Sequence, residues 1–406
     1  MASTPTGANY TWSSFSEGAT GATASGTGDI LTQTLTTTGT TAGTVTYTIT
    51  PSLYYSSTRL TCYGQPYDFT VTVKSKPIVH LNPIPLQTVC SGDSTEEIIL
   101  TSTPSGASFA WNLYSSWYAT SSINMPGSGN IPRMCLKSTS EVYNGGVIYK
   151  VTPTLFGCDG DNYYFTTTIK QRPVINAVDT QTICSGSSTT AVTLTSNTPG
   201  TTYRWSSSSN GVTGATASGT TSNIPAQTLT TTGAAVGTVT YTIIPTYSGC
   251  DGDPVDFVVT VNPIPVVNTI NDQIVCSVGT TDPITFTSTP SGASYVWSPV
   301  TGANATSSYY SSGTGDVFPS STVTLSATDP SSSGVVVFKV KPTLSNCTGT
   351  DLFFYLRAKP KPILTTVNPQ TICSGASTTA VTLTSNIAGT TYRWSSSSNG
   401  VTGATA

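Results

Sequence analysis

Residues 239–265 read VTYTIIPTYSGCDGDPVDFVVTVNPIP, a β-run that ends in a cysteine turn and returns as a second strand before a Pro-bearing junction. β-Branched Thr and Val alternate with aromatics in period-two runs such as TVTYTI, and Gly, Asn, Pro and Ser cluster between the runs, which is the signature of strands and tight turns. The same cysteine turn recurs at Cys62, Cys158 and Cys347. The hairpin is therefore one landmark of a repeat.

Two further landmarks complete the unit. A Cys-Ser motif runs into a Thr/Val stretch as VCSGDSTEEIIL at Cys90, ICSGSSTTAVTLTS at Cys184, VCSVGTTDPITFTS at Cys276 and ICSGASTTAVTLTS at Cys373. An aromatic-x-Trp strand carries Trp12, Trp111, Trp205, Trp297 and Trp394, each expected to plug the core between two sheets. Successive first cysteines lie 94, 92 and 97 residues apart (184 − 90, 276 − 184, 373 − 276), a domain-sized period in which each unit has its own core. Seven or so short strands in each such period, one of them with a core Trp, predict an all-β tandem array of immunoglobulin-like sandwiches that forms an elongated rod or filament.

The units alternate between two types. TTYRWSSSSNGVTGATA occurs at 201–217 and again at 390–406, a super-repeat two units long that carries Trp205 onto Trp394, whereas TSTPSGAS precedes Trp111 and Trp297. The expected units are 1–78 (partial, a-type), 79–175 (b-type), 176–266 (a-type), 267–365 (b-type) and 366–406 (partial, a-type), called units 1 to 5 below. Unit 1 lacks the Cys-Ser strand and unit 5 holds that strand and the Trp segment only. Two readings stay open: a window of a longer chain, or partial units that complement each other between neighbouring molecules as donated strands do.

Composition narrows the function classes. Charged residues make up 8% of the chain, against about a quarter in typical domains, and the net charge of −3 gives little pull on nucleic acid. The small basic groups Lys74/Lys76, Lys170/Arg172 and Lys359/Lys361 sit at unit ends, where charge on a strand edge blocks wrong pairing. No apolar run is long enough to span a membrane, and no signal-peptide pattern opens the sequence. A secretion signal and an anchor are expected outside this segment.

No catalytic constellation is legible. The one histidine, His80, lies in the KPIVHLNPIP junction, and Glu96/Glu97, read as neighbours on one strand, point to opposite faces. The DGD triplets at 159–161 and 251–253 offer carboxylates to calcium, yet the equivalent turns at Cys62 and Cys347 lack them, so a solvated turn is the simpler reading. No metal or cofactor site is read. Outside the core Trp position, Trp117, Tyr118, Tyr309 and Tyr310 are candidates for contact with sugars or a partner surface, or for packing within a hairpin.

Nine cysteines include eight patterned ones, Cys62, Cys90, Cys158, Cys184, Cys250, Cys276, Cys347 and Cys373, with Cys135 as the extra. Two per unit without metal spacing favour disulfides and an oxidising compartment. Pairing within a unit would join Cys90 to Cys158, Cys184 to Cys250 and Cys276 to Cys347. Immunoglobulin topology puts these positions at opposite ends of a strand about 17–20 Å long, whereas a disulfide needs Cα atoms within about 7 Å. Pairing between units, Cys90 to Cys250 and Cys184 to Cys347, is the alternative, and both stay open here.

The order QTICSGxST-VTLTS, YxWS, GTVTYTIxPTxxGCxG and VxFxVTVNPIPVV resembles the PKD-like, immunoglobulin-like repeats of very large surface proteins of Bacteroidota, among them gliding-motility adhesins exported by the type 9 secretion system. The resemblance implies an extracellular, cell-surface filament whose partners are neighbouring repeats of the same long chain, with polysaccharide, an abiotic surface or other cells as what it contacts. A carbohydrate-binding array, or the non-catalytic stalk of a larger secreted enzyme, is the alternative.

Overall fold

The computed structural model describes residues 7–83, 86–122, 126–326 and 331–404, and every regular element among them is a strand. Unit 3 shows the plan. Its long strand, Gly237–Tyr247, buries Val239, Tyr241 and Ile243 on one face and turns Thr238, Thr240 and Thr242 outward, as a period of two demands. The Trp strand, Thr202–Asn210, pairs antiparallel on one side and the last strand, Val255–Asn262, on the other. A first strand, Gln181–Cys184, adds parallel to the last strand, and Ser218–Gly219 closes the far edge. Shorter pairs, including Val192–Thr193 with Asn223–Ile224, form the opposing layer.

Between the layers, Trp205 meets Tyr241 edge-on at 5.8 Å, and Tyr241 stacks on Phe257 at 5.6 Å. The indole needs room on the neighbouring strand. A Cβ on Gly219, the residue opposite Trp205, would fall 2.4 Å from the ring, so the small residue is a requirement of the Trp seat. Burial pushes the Tyr241 phenol pKa up, and its hydroxyl donates to Gln227 Oε1 at 2.9 Å. Tyr47 uses Gln33 in the same way, Tyr149 pairs with Ser121, and unit 4 avoids the need by placing Phe338 there. Gln227→Ala should therefore cost about 1–3 kcal/mol by leaving a buried hydroxyl unpaired. Chemical denaturation should show Tyr241→Phe in that background recovering part of the loss.

Units 2 and 4 repeat this sheet order around their own cores. Unit 1 has the Trp strand Asn9–Glu17, the long strand Gly43–Tyr55 and the last strand Tyr67–Val73, but no first strand on the outer edge of that sheet among the described residues. Residues 366–404 contain no strand. This corrects one expectation: Trp12, Trp111, Trp205 and Trp297 are 3–7% exposed, whereas Trp394 is 65% exposed because no neighbouring strands are there to cover it. Glu96 and Glu97 also lie before the strand Ile99–Thr103 rather than on one, and His80 lies in the strand Ile78–Asn82, hydrogen-bonded to Thr103 Oγ1 at 2.9 Å.

Candidate functional site: the junctions between units

The parallel first strand sets where its cysteine ends up. Gln87–Cys90 runs beside the last strand of unit 2 with Cys90 opposite Lys170, and the same register puts Cys184 opposite Asn262 and Cys276 opposite Lys359. Each of these cysteines therefore sits at the trailing end of its unit, where the chain leaves. The cysteine of the hairpin sits at the leading end, behind a two-residue turn with left-handed backbone: Phe156-Gly157, Ser248-Gly249 and Ser345-Asn346, all at positive φ. A trailing end meets the next leading end.

The disulfides accordingly join neighbouring units. Cys90 bonds Cys250 with Cα atoms 5.6 Å apart, and Cys184 bonds Cys347 at 5.5 Å. Pairing within a unit is excluded for Cys90, Cys184, Cys250 and Cys347, because opposite ends of one sandwich cannot come into bonding range. Cys62, Cys135, Cys158, Cys276 and Cys373 are free thiols. Disulfides of this structural kind belong to an oxidising, extracellular-type compartment.

The contacts repeat from junction to junction, including that of units 1 and 2, which has no disulfide. Lys74 Nζ donates to the Phe156 carbonyl at 3.0 Å, Lys170 Nζ to Ser248 at 2.8 Å, and the shorter Asn262 reaches Ser345 at 3.5 Å. Arg172 clamps the second junction, giving hydrogen bonds to the Ser91 carbonyl and the Asp251 carbonyl and an ion pair to Asp93 at 2.7 Å. Lys74, Lys170 and Arg172 are thus junction residues rather than charges that merely guard a strand edge. Sequence reasoning missed this because most of the acceptors are backbone carbonyls of the following unit, far along the chain and marked by no side chain of their own.

The glycine two residues after the hairpin cysteine is the other missed element. A Cβ on Gly252 would stand 1.9 Å from the Pro173 carbonyl oxygen, and Gly160 and Gly349 meet Pro77 and Pro265 in the same way. Only a residue without Cβ lets the junction Pro close on the turn. Gly252→Ala should loosen the junction of units 2 and 3 and slow formation of the Cys90–Cys250 bond during oxidative refolding. Quantitative thiol labelling should find these two cysteines reduced for longer than Cys184 and Cys347, while the cores of both units keep their stability.

Three of the four acids of the DGD turns, Asp159, Asp161 and Asp251, are engaged by protein groups. Asp251 accepts from Thr246 Oγ1 and makes a two-pronged pair with Arg204, whose hydrogen bonds hold the carboxyl well below the usual carboxylate range. Asp159 accepts from Thr154 at 2.7 Å, and Asp161 lies 3.8 Å from Lys76. Among the described residues, no group of three or more metal-ligating side chains comes together.

The candidate contact aromatics divide. Trp117 lies over Gly146, and Tyr118, itself at positive φ, stacks on Tyr143 at 5.6 Å; both stay 41–52% exposed. Tyr310 is exposed and donates to the Val300 carbonyl. Tyr309 is no surface aromatic: it is half-buried and meets the core ring Phe318 edge-on at 5.6 Å. Sequence reasoning missed Tyr114 and Tyr164, exposed rings 4.9 Å apart that meet because a register shift between Leu113 and Ser115 re-aims the strand.

The PKD-like domain family matches this chain at residues 2–77, 87–173 and 181–265. No curated protein matches it. Among solved structures, the insect immune protein hemolin is similar at 12% identity over 88% of this chain and 93% of its own, with a TM-score of 0.24. The protocadherin gammaB4 extracellular domain is similar at 11% identity over 82% of this chain and 57% of its own (TM-score 0.29), and mouse cadherin-23 EC22-24 at 9% over 70% and 99% (TM-score 0.31). At these scores the likeness carries no argument.

Proposed function

From a chain that belongs to the PKD-like domain family, we propose a load-bearing segment of an extracellular surface filament that holds a cell to a substratum, to polysaccharide or to other cells. The observation that carries this reading is the lengthwise stapling: each disulfide spans a junction, and unit 3 takes part in both. Bonds that close on their own unit stabilise a bead, whereas bonds between beads resist bending and separation. The Pro-bearing junctions, packed on the next unit's glycine, act in the same direction.

Electron microscopy of the oxidised chain should show rods with a unit-scale axial repeat, and reduction should make them bend at the junctions. Compact globules in both states would sink the reading. Surface gliding is its finer form, checked by comparing the movement of cells that carry the native segment with cells that carry Cys250→Ser and Cys347→Ser.

One observation favours a second role for unit 2. Its exposed rings Tyr114, Trp117 and Tyr164 present flat apolar faces of the kind that stack on sugars. Binding of soluble polysaccharide that Trp117→Ala abolishes would support it; equal binding by native and variant chains would remove it.

A further inference from the structure

On the outer face of the sheet that holds the Trp strand, one register carries a row of three side chains, from the Trp strand, the long strand and the last strand. In unit 1 the row is Ser13, Thr48 and Asp68, and in unit 3 it is Ser206, Thr242 and Asp256. Each threonine donates to its aspartate at 2.7 Å, so these rows are acidic and satisfied within themselves. The b-type units depart from this. Unit 4 has Ser298, Lys339 and Phe353, and unit 2 has Asn112, Lys150 and Tyr164 on its strands Ser108–Trp117, Gly145–Leu155 and Tyr163–Lys170.

The two b-type rows differ in what answers the lysine. Lys339 pairs with Asp351 at 2.9 Å, and Lys341 reaches the same carboxylate at 3.4 Å. Asp351 directly precedes the last strand of unit 4, and the residue at that place in unit 2 is Asn162. Its Oδ1 accepts from Thr152 Oγ1 at 2.6 Å, and no carboxylate meets Lys150 among the described residues. Lys150 is an uncompensated cation.

Its surroundings show what it is open to. A groove of about 420 Å³ lies beside it, lined by Ala110, Asn112, Pro126 and Thr152 as well as Lys150 itself. Asn112 Nδ2 donates to the Leu113 carbonyl at 3.2 Å, which leaves Oδ1 to accept from a hydroxyl. Tyr164 stands directly opposite Lys150, and the exposed Tyr114 meets it edge-on. Further along the same face Trp117 lies over Gly146, four residues before Lys150 on the long strand and therefore about 13 Å from it. Rings, amide and ammonium form one track.

We propose that this track binds an anionic polysaccharide, with Lys150 taking the carboxylate of a uronic acid residue while Tyr114, Tyr164 and Trp117 stack on neighbouring sugar rings. It rests on the second role given to unit 2 above and adds the charge that the sugar carries. A compact ammonium on a flexible stem suits a single carboxylate, and a flat ring suits the apolar face of a pyranose. Duplex nucleic acid fits poorly, because one phosphate every ~1.7 Å calls for a run of cations. Lys170, the other outward cation on these strands, is committed to the Ser248 carbonyl. The acidic rows of units 1 and 3 repel a polyuronate, and the lysines of unit 4 are already paired, which confines the site to unit 2.

The test measures binding of the oxidised full chain to polygalacturonate, to its fully methyl-esterified form and to duplex DNA at low salt. The ester keeps the sugar shape and loses the charge. The native chain should hold polygalacturonate about fivefold more tightly than the ester, the upper range for an exposed ion pair, and added salt should erode the difference. Lys150→Met, which keeps an unbranched stem on the outer face, should abolish that preference without moving the denaturation midpoint, and Tyr164→Ala should weaken both polymers alike. Equal binding of the two polymers by the native chain, or an unchanged preference in Lys150→Met, would overturn the charge assignment and leave the stacking role standing. Binding of neither polymer would remove both. DNA held as tightly as polygalacturonate would overturn the choice of a polysaccharide.

Discussion

Pulled from its two ends, the reduced chain should extend about 630–690 Å further than the oxidised chain, at about 3.3–3.6 Å per residue. Between Cys90 and Cys347 the reduced chain offers its backbone alone. With both disulfides closed, three further covalent routes connect these points. Two use one bond each, through the stretch 90–184 or the stretch 250–347. The third crosses at Cys90–Cys250, runs backward through unit 3 to Cys184, and crosses again at Cys184–Cys347. This shortest route limits extension, so the stretches 90–184 and 250–347 are shielded from load. Their combined length is the extension that reduction releases.

The two bonds should act far from additively. Removing either one leaves 90–184 or 250–347 as the limiting stretch in place of 184–250, a route longer by only about 90–110 Å. Removing both releases the full difference. Single-molecule stretching of the native chain, Cys250→Ser, Cys347→Ser and the double variant checks this directly. Equal final lengths for native and double-variant chains would mean that the staples bear no load.

Trp205→Ala should destabilise unit 3 by about 3–5 kcal/mol, the range for deleting a buried aromatic side chain. Trp394→Ala, made in the same seventeen-letter sequence, should stay within about 0.5 kcal/mol in the separate chain. The first ring is 5% exposed and meets Tyr241 edge-on, and the second is 65% exposed. Denaturant titration of both variants checks the contrast, and similar losses of stability would contradict it.

These expectations show which features were legible in the chain. The period-two hairpin around Cys250, the aromatic-x-Trp strands and the spacing of the cysteines are local patterns, so strands, turns and units follow from them. The glycine opposite each Trp and the glycine behind each hairpin cysteine were not legible, because each answers to a group on another strand or another unit: Trp205 for Gly219, the Pro173 carbonyl for Gly252. Lys170 and Arg172 belong to the same class, since their partners are Ser248, Ser91, Asp251 and Asp93. For Tyr309 surface contact and packing both stayed open, because nothing in its own segment marks Phe318 as its neighbour.

The sequence by itself determined an all-β array of repeated sandwiches, because a repeat of alternating residues and cysteine turns needs no distant information to specify strands and their spacing. Only the tertiary structure decided that Cys90 joins Cys250 and Cys184 joins Cys347, and that the Trp205 strand is seated by Tyr241 and Gly219 on its neighbours. The reason is the same in both cases. A strand and a half-disulfide are each incomplete alone, and what completes them lies elsewhere in space.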